Sequence, residues 1–199
     1  MSDTQPYKRP VALAIFFIVA GVIGWLAAFA LTIEKFVALT SPGTALTCDF
    51  SVVVQCTANL ESWQGSLFGF PNPIIGLAAW IAPLVVGVAL LAGARFSRWF
   101  WILFNLGVLA AMVFVVWLIS QSIFVLSTLC IYCMITWAVT IPLFLALTLF
   151  NLKTGNIPAP DRLRSVAAAL YSWVPAISLG FYLVIAVIAQ VRLDFLATL

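Results

Sequence analysis

The run from Val11 to Ile33 contains no charged side chain, and it restricts the fold more than any other feature of the chain. A helix needs about 20 predominantly apolar residues to cross about 30 Å of hydrocarbon, and in lipid only a helix or a closed barrel satisfies its own backbone. Similar runs recur at about Ile74–Ala94, Trp99–Ile119, Thr128–Phe150 and Val166–Val191, each bounded by charge, proline or glycine. Composition agrees: 65% of the 199 residues are hydrophobic and 8% charged, against about 25% charged in a soluble domain. The chain reads as an all-α integral membrane protein. It is expected to form a single membrane domain over residues 1–199, with spans at 11–33, 74–94, 99–119, 128–150 and 166–191 and an outer segment at 34–73. The first run exceeds the roughly 7–15 residues of a signal-peptide core, and no convincing cleavage site follows it, so it reads as a retained span.

Positive charge in short loops marks the cytoplasmic side. With five alternating spans, Lys8, Arg9, Arg95, Arg98, Lys153, Arg162 and Arg164 all fall on one side, and only Lys35 and Arg192 on the other. The N-terminus is therefore expected in the cytoplasm and the C-terminus outside a plasma membrane. The net charge of +3 bears on this orientation and gives no sign of a nucleic-acid partner. The same alternation carries Cys48 and Cys56, in the 34–73 segment, and Cys130 and Cys133, at the mouth of the fourth span, to one oxidising face.

Four cysteines on such a face are expected to be bridged or in exchange. Two structural staples are one reading. Against it, a Cys-x-x-Cys bridge closes so small a loop that it removes little unfolded-state entropy. In "STLCIYCMITW" the pair instead opens a helix, where free N–H groups and the helix dipole favour thiolate, with Ser127 or Thr128 expected as N-cap. A c-type haem needs histidine directly after the second cysteine; Met134 stands there, and the chain has no histidine. Zinc knuckles place their cysteines only a few residues apart, which the Cys48/Cys56 spacing does not match, so no metal site is expected.

Between the breaks at Pro42-Gly43 and Pro71-Asn72-Pro73, Leu60, Trp63, Leu67 and Phe68 recur at helical spacing. The stretch could lie flat in the interface and cap the outer mouth of the bundle, or be an ordinary packed loop. Gly21-x-x-Gly24 reads as a close helix contact. The fifth span carries no motif; Tyr182 and Gln190 are its polar residues, and its default role is support.

The order of motifs, "CDFSVVVQC", then "FGFPNPIIG" leading into a span, then "CIYC" opening a later one, resembles the vitamin K epoxide reductase family and its bacterial branch. The resemblance covers about Val11 to Phe150 and lacks the thioredoxin-like domain fused to some bacterial relatives. It implies a four-helix bundle around a quinone pocket, a fifth transmembrane helix, and an outer loop or short helix capping the bundle. It further implies that Cys133 is the thiol next to the quinone, with Cys130 its resolving partner. Cys56 would exchange with the Cys130–Cys133 disulfide, and Cys48 with an incoming protein thiol. Asn72 matches the asparagine that hydrogen-bonds a quinone carbonyl, and Asp49 the acidic residue after the first loop cysteine. Where the vertebrate enzymes carry a tyrosine four residues after the last cysteine, this chain has Trp137, whose indole donates a hydrogen bond but accepts none.

The expected activity is a quinone-dependent thiol oxidoreductase. It would reoxidise a separate DsbA-like or thioredoxin-like extracytoplasmic protein and reduce menaquinone or ubiquinone, supporting disulfide formation. A DsbB-type oxidase has its cysteine pairs in the opposite order. A membrane scaffold with two structural disulfides predicts four locked cysteines and no quinone turnover. Epoxide reduction would serve only an organism with vitamin K–dependent carboxylation.

Overall fold

A computed structural model describes residues 10–41 and 43–194. Lys8, Arg9 and Pro42, which entered the orientation and loop-break expectations, lie outside the described residues. The described chain is helical: α1 (Val11–Thr40), α2 (Thr57–Glu61), a 3-10 turn (Trp63–Ser66), α3 (Asn72–Ala79), α4 (Ile81–Leu91), α5 (Arg98–Gln121) continued by a π turn (Ser122–Leu126), α6 (Ile131–Thr154), α7 (Asp161–Tyr171) and α8 (Val174–Leu193). Five helices, Val11–Thr40, Asn72–Leu91, Arg98–Leu126, Ile131–Thr154 and Val174–Leu193, are long and apolar enough to cross a membrane. This is the expected membrane bundle with a fifth helix.

The helix ends differ from the hydropathy boundaries for reasons visible in the side chains. α1 continues past Glu34-Lys35 to Thr40 because both charges find partners on the outer segment. Glu34, only 6% exposed, accepts hydrogen bonds from the Thr47 N–H (3.3 Å) and the Thr47 hydroxyl. Lys35 Nζ donates to the Leu60 carbonyl at 2.7 Å. The second span breaks at Trp80, four residues after Gly76 and three before Pro83. Proline lacks an N–H and its ring crowds the carbonyl of residue i−4, here Ala79. The same rule divides the expected last span: Pro175 stands in the first turn of α8, so α7 ends at Tyr171 and α8 begins at Val174.

The core of the bundle joins α1, α4, α5 and α6 through Leu13, Ala14, Phe17, Val86, Leu90, Trp101 and Leu147, all buried. Phe17 meets Phe104 edge-on at 5.7 Å, a geometry aromatic rings favour. α1 passes so close to the α3–α4 junction that a Cβ on Gly24 would sit 2.2 Å from the Trp80 ring, which is why a small residue stands there. Below this core, Asn151 Nδ2 donates to Asn105 Oδ1 (3.0 Å) and Asn156 Nδ2 to Asn151 Oδ1 (3.0 Å), tying α5, α6 and the following loop together.

α8 is fastened to α6 at a point that the sequence marks. Pro142 lies inside α6 and leaves the Ala138 carbonyl without its helical donor. The Tyr182 hydroxyl of α8 donates to that carbonyl. Neighbouring helices satisfy a proline-freed carbonyl in this way when water is absent.

Candidate functional site

Two segments carry the cysteines, and a short backbone pairing sets them side by side. Val54 and Leu129 form an isolated parallel bridge, with Leu129 N–H donating to the Val53 carbonyl (2.7 Å) and Gln55 N–H to the Leu129 carbonyl (2.9 Å). Cys56 and Cys130 follow immediately along the two paired segments. Their sulfurs stand 3.3 Å apart, and both side chains are fully buried. Cys48 and Cys56 are joined by a disulfide, while Cys130 and Cys133 are thiols.

Asp49 organises the loop between the bridged cysteines. Its Oδ1 accepts from the N–H groups of Cys56 (2.7 Å) and Thr57 (3.2 Å). Its Oδ2 accepts from the Leu46 N–H (3.1 Å) and the Thr57 hydroxyl. Burial opposes the charge on Asp49, but these hydrogen bonds, led by that of the Thr57 hydroxyl, outweigh it and hold the pKa below its ordinary value. Phe50 and Val52, on the outside of the same loop, are 66% and 83% exposed, whereas Cys48 is 1% exposed.

The N-cap of α6 is Cys130 itself, and the expectation of Ser127 or Thr128 in that place is corrected. The Cys130 sulfur accepts from the Cys133 N–H at 3.4 Å. Ser127 is in the left-handed region at φ 53° and closes the π turn, and Thr128 is engaged elsewhere: its Oγ1 accepts from Asn59 Nδ2 at 2.9 Å and its carbonyl from the Ser122 hydroxyl. Negative charge on Cys130 therefore meets the positive end of the helix dipole.

Beside Cys133 lies a cavity of about 430 Å³, within the range of small-molecule sites. Its wall is mostly apolar and comes from α1, α3, α4, α5 and α6, including Ala28, Pro73, Leu103, Val108 and Leu143. Asn59, Ser62, Gln64 and Asn72 border it from the cap. Cys133 lines the cavity and Cys130 does not. Trp137, one helical turn beyond Cys133 and 5% exposed, lines it too. Asn72 Nδ2 donates to the Gln64 carbonyl (2.6 Å) and its Oδ1 accepts from the Leu67 N–H (3.2 Å), so this amide shapes the cap and retains one uncommitted N–H.

The cap is two short turns rather than one amphipathic helix. Ser62 is extended and caps the 3-10 turn through the Gly65 N–H, and a Cβ on Gly65 would lie 2.4 Å from the Asn59 carbonyl. Leu60 is buried, while Trp63 and Phe68 turn outward against Trp117 and Phe114 of α5. Among the described residues, no cluster of three or more His, Cys, Asp or Glu is placed to hold a metal. Reasoning from sequence missed Glu34, Gln64 and Gln121. Only Glu34, a carboxylate at the end of an apolar run, left a readable signal.

A family model described as the vitamin K epoxide reductase family matches residues 15–148, which hold all four cysteines and the greater part of the four bundle spans. Comparisons with curated proteins and with solved structures returned no match.

Proposed function

The chain belongs to the vitamin K epoxide reductase family of membrane quinone-linked thiol oxidoreductases, and from that premise we propose that it oxidises the dithiol of a separate extracytoplasmic protein and reduces a membrane quinone. The partner is a DsbA-like or thioredoxin-like protein, the acceptor menaquinone or ubiquinone, and the whole chain acts as one membrane domain. The N-terminus lies in the cytoplasm, and the C-terminus and all four cysteines lie outside. One observation carries the reading: the Cys56 sulfur lies 3.3 Å from the Cys130 sulfur while Cys133 faces the cavity.

Electrons enter when the partner dithiol reduces the Cys48–Cys56 disulfide and becomes a disulfide itself. Cys48 is buried, so the loop carrying Phe50 and Val52 must lift for a partner sulfur to reach it, and those exposed apolar side chains offer the partner a surface. The Cys56 thiolate then attacks Cys130 of a Cys130–Cys133 disulfide and displaces Cys133 as thiolate. Cys48 attacks Cys56, re-forms Cys48–Cys56 and releases Cys130. The resulting arrangement of one loop disulfide and two α6 thiols is the one in the structure. The Cys130/Cys133 dithiol finally passes two electrons and two protons to the quinone, giving hydroquinone and closing its own disulfide. Bound quinone supplies a two-electron acceptor. The chain supplies a mostly apolar slot for its ring, with the uncommitted Asn72 N–H and the Trp137 indole as donors for carbonyl oxygen. This direction fits a periplasm kept oxidising through quinone.

The test is spectroscopic quinone reduction by the purified protein in detergent, with a reduced DsbA-like protein as donor and Cys133→Ser as comparison. Turnover by the wild type that disappears in Cys133→Ser is expected. No turnover with either the protein donor or a small dithiol would overturn the reading in favour of a structural role.

A further inference from the structure

We infer that Gln64 binds the reduced product, its side-chain carbonyl accepting a hydrogen bond from a hydroxyl of the hydroquinone in the cavity beside Cys133. The inference rests on the assignment of that cavity to quinone. Three polar side chains on its wall are at least nine-tenths buried: Gln64 at 3% exposure, Ser122 at 2% and Thr140 at 2%. Ser122 and Thr140 spend their hydroxyls on the carbonyls of Thr128 and Thr136. Gln64 spends its Nε2 on Gln121 Oε1 at 3.3 Å, but its Oε1 has no hydrogen-bond partner. A buried acceptor left unpaired is costly, and nearly all such atoms in proteins are satisfied.

The chemistry of the missing partner follows from the atom. A quinone carries two carbonyl acceptors and no donor, so it cannot satisfy Gln64 Oε1. A hydroquinone carries two O–H donors and can, once the amide turns slightly about its terminal torsion, which is broad for glutamine. Asn72 and Trp137 offer donors, which suit the oxidised ring; Gln64 offers the acceptor that only the reduced ring uses. A residue that binds product more tightly than substrate shifts the dithiol–quinone equilibrium toward hydroquinone by the ratio of the two affinities. The long, 3.3 Å contact to Gln121 is the one that yields when the amide turns.

The measurement is binding rather than turnover. In a Cys133→Ser background, which cannot exchange electrons, the affinities of a short-chain menaquinone and of its hydroquinone are measured anaerobically from tryptophan fluorescence. Gln64→Met is expected to weaken hydroquinone binding about tenfold, the worth of one hydrogen bond, and to leave quinone binding within about twofold. Gln64→Glu keeps an acceptor and should keep the hydroquinone preference; if Gln64→Met fails to fold, Gln64→Asn, which withdraws the acceptor by one methylene, carries the test with the same selective loss expected. Equal weakening of both forms, or a greater loss for the quinone, would overturn the role of Gln64 while leaving the quinone cavity intact. No binding of either form to the parent protein would overturn the cavity assignment together with this inference.

Discussion

The two cysteine pairs lie within van der Waals reach of each other yet are held by different means. Cys130 and Cys133 open a 24-residue helix, Ile131–Thr154 with Cys130 as its cap, and their positions follow from backbone geometry. Cys48 and Cys56 ride on a loop with no helix or extended strand, and side chains hold it: Asp49 by four hydrogen bonds, Glu34 through Thr47, and one bridge to Leu129. A helix start cannot move without unravelling the bundle, whereas a loop closed by one carboxylate opens when that carboxylate is lost. On the proposed function, the difference lets a single site serve two partners, the fixed pair a small molecule that enters a shaped cavity and the latched pair a protein that needs the disulfide uncovered.

The largest effect should come from cutting the contact between the pairs. Cys130→Ser should reduce quinone turnover by at least about 100-fold, as for loss of a covalent exchange group, while Cys48–Cys56 still forms on thiol labelling. Normal turnover in that variant would mean that the two pairs do not communicate through Cys130. Next comes the latch. Asp49→Ala removes the acceptor for four donors, and with allowance for partial exposure it should favour loop opening by about 1–2 kcal/mol. A small dithiol would then reduce Cys48–Cys56 about 5–30 times faster, with the α6 thiols unaffected; an unchanged rate would show that the loop is held by its backbone bridge alone.

Acid should repeat the Asp49 result by protonation. The folded pKa of Asp49 is depressed, so its contribution is fully present above the ordinary carboxylate value and is lost as pH falls through the folded value. Reduction of the loop disulfide by a phosphine needs no thiolate but is itself slowed by acid, so the rates are compared at each pH: the wild type, slower than Asp49→Ala near neutrality, should approach the variant's rate as pH falls. The smallest effect concerns the rigid side. Tyr182→Phe leaves the Ala138 carbonyl without its donor and should cost about 0.6 kcal/mol, the average for an interhelical hydrogen bond in a membrane, read as a lowered Tm in detergent. A large loss of quinone turnover in this variant would show that α8 also sets the geometry at Cys133.

Much of this was legible in the residues because it depends on local chemistry. Long uncharged runs can satisfy their backbone in lipid only as helices, so the five spans follow from hydropathy, whereas the breaks beside Pro83 and Pro175 and the carbonyl freed by Pro142 lie inside runs that hydropathy reads as continuous. Two cysteines three apart at the start of such a run share a helix end, and the motif order around "CDFSVVVQC" and "CIYC" suffices to place the chain in its family. Helix boundaries were less legible at Glu34-Lys35, since a charge ends a span only when it lacks a partner, and here the partners, Thr47 and Leu60, come from the far side of the loop.

What only the tertiary structure decided are the relations between distant segments. That Cys130 and not Cys133 meets Cys56 depends on the pairing of Val54 with Leu129, residues separated by four helices, α2 to α5. That Gln64 stands at a cavity with an unpaired oxygen, and that Tyr182 answers the carbonyl freed by Pro142, depends on which helix packs where. Periodicity and propensity act within a few residues along the chain. Unsatisfied hydrogen-bonding groups are matched across it, and in a membrane, where water cannot take the place of a missing partner, that matching is made by the packed bundle alone.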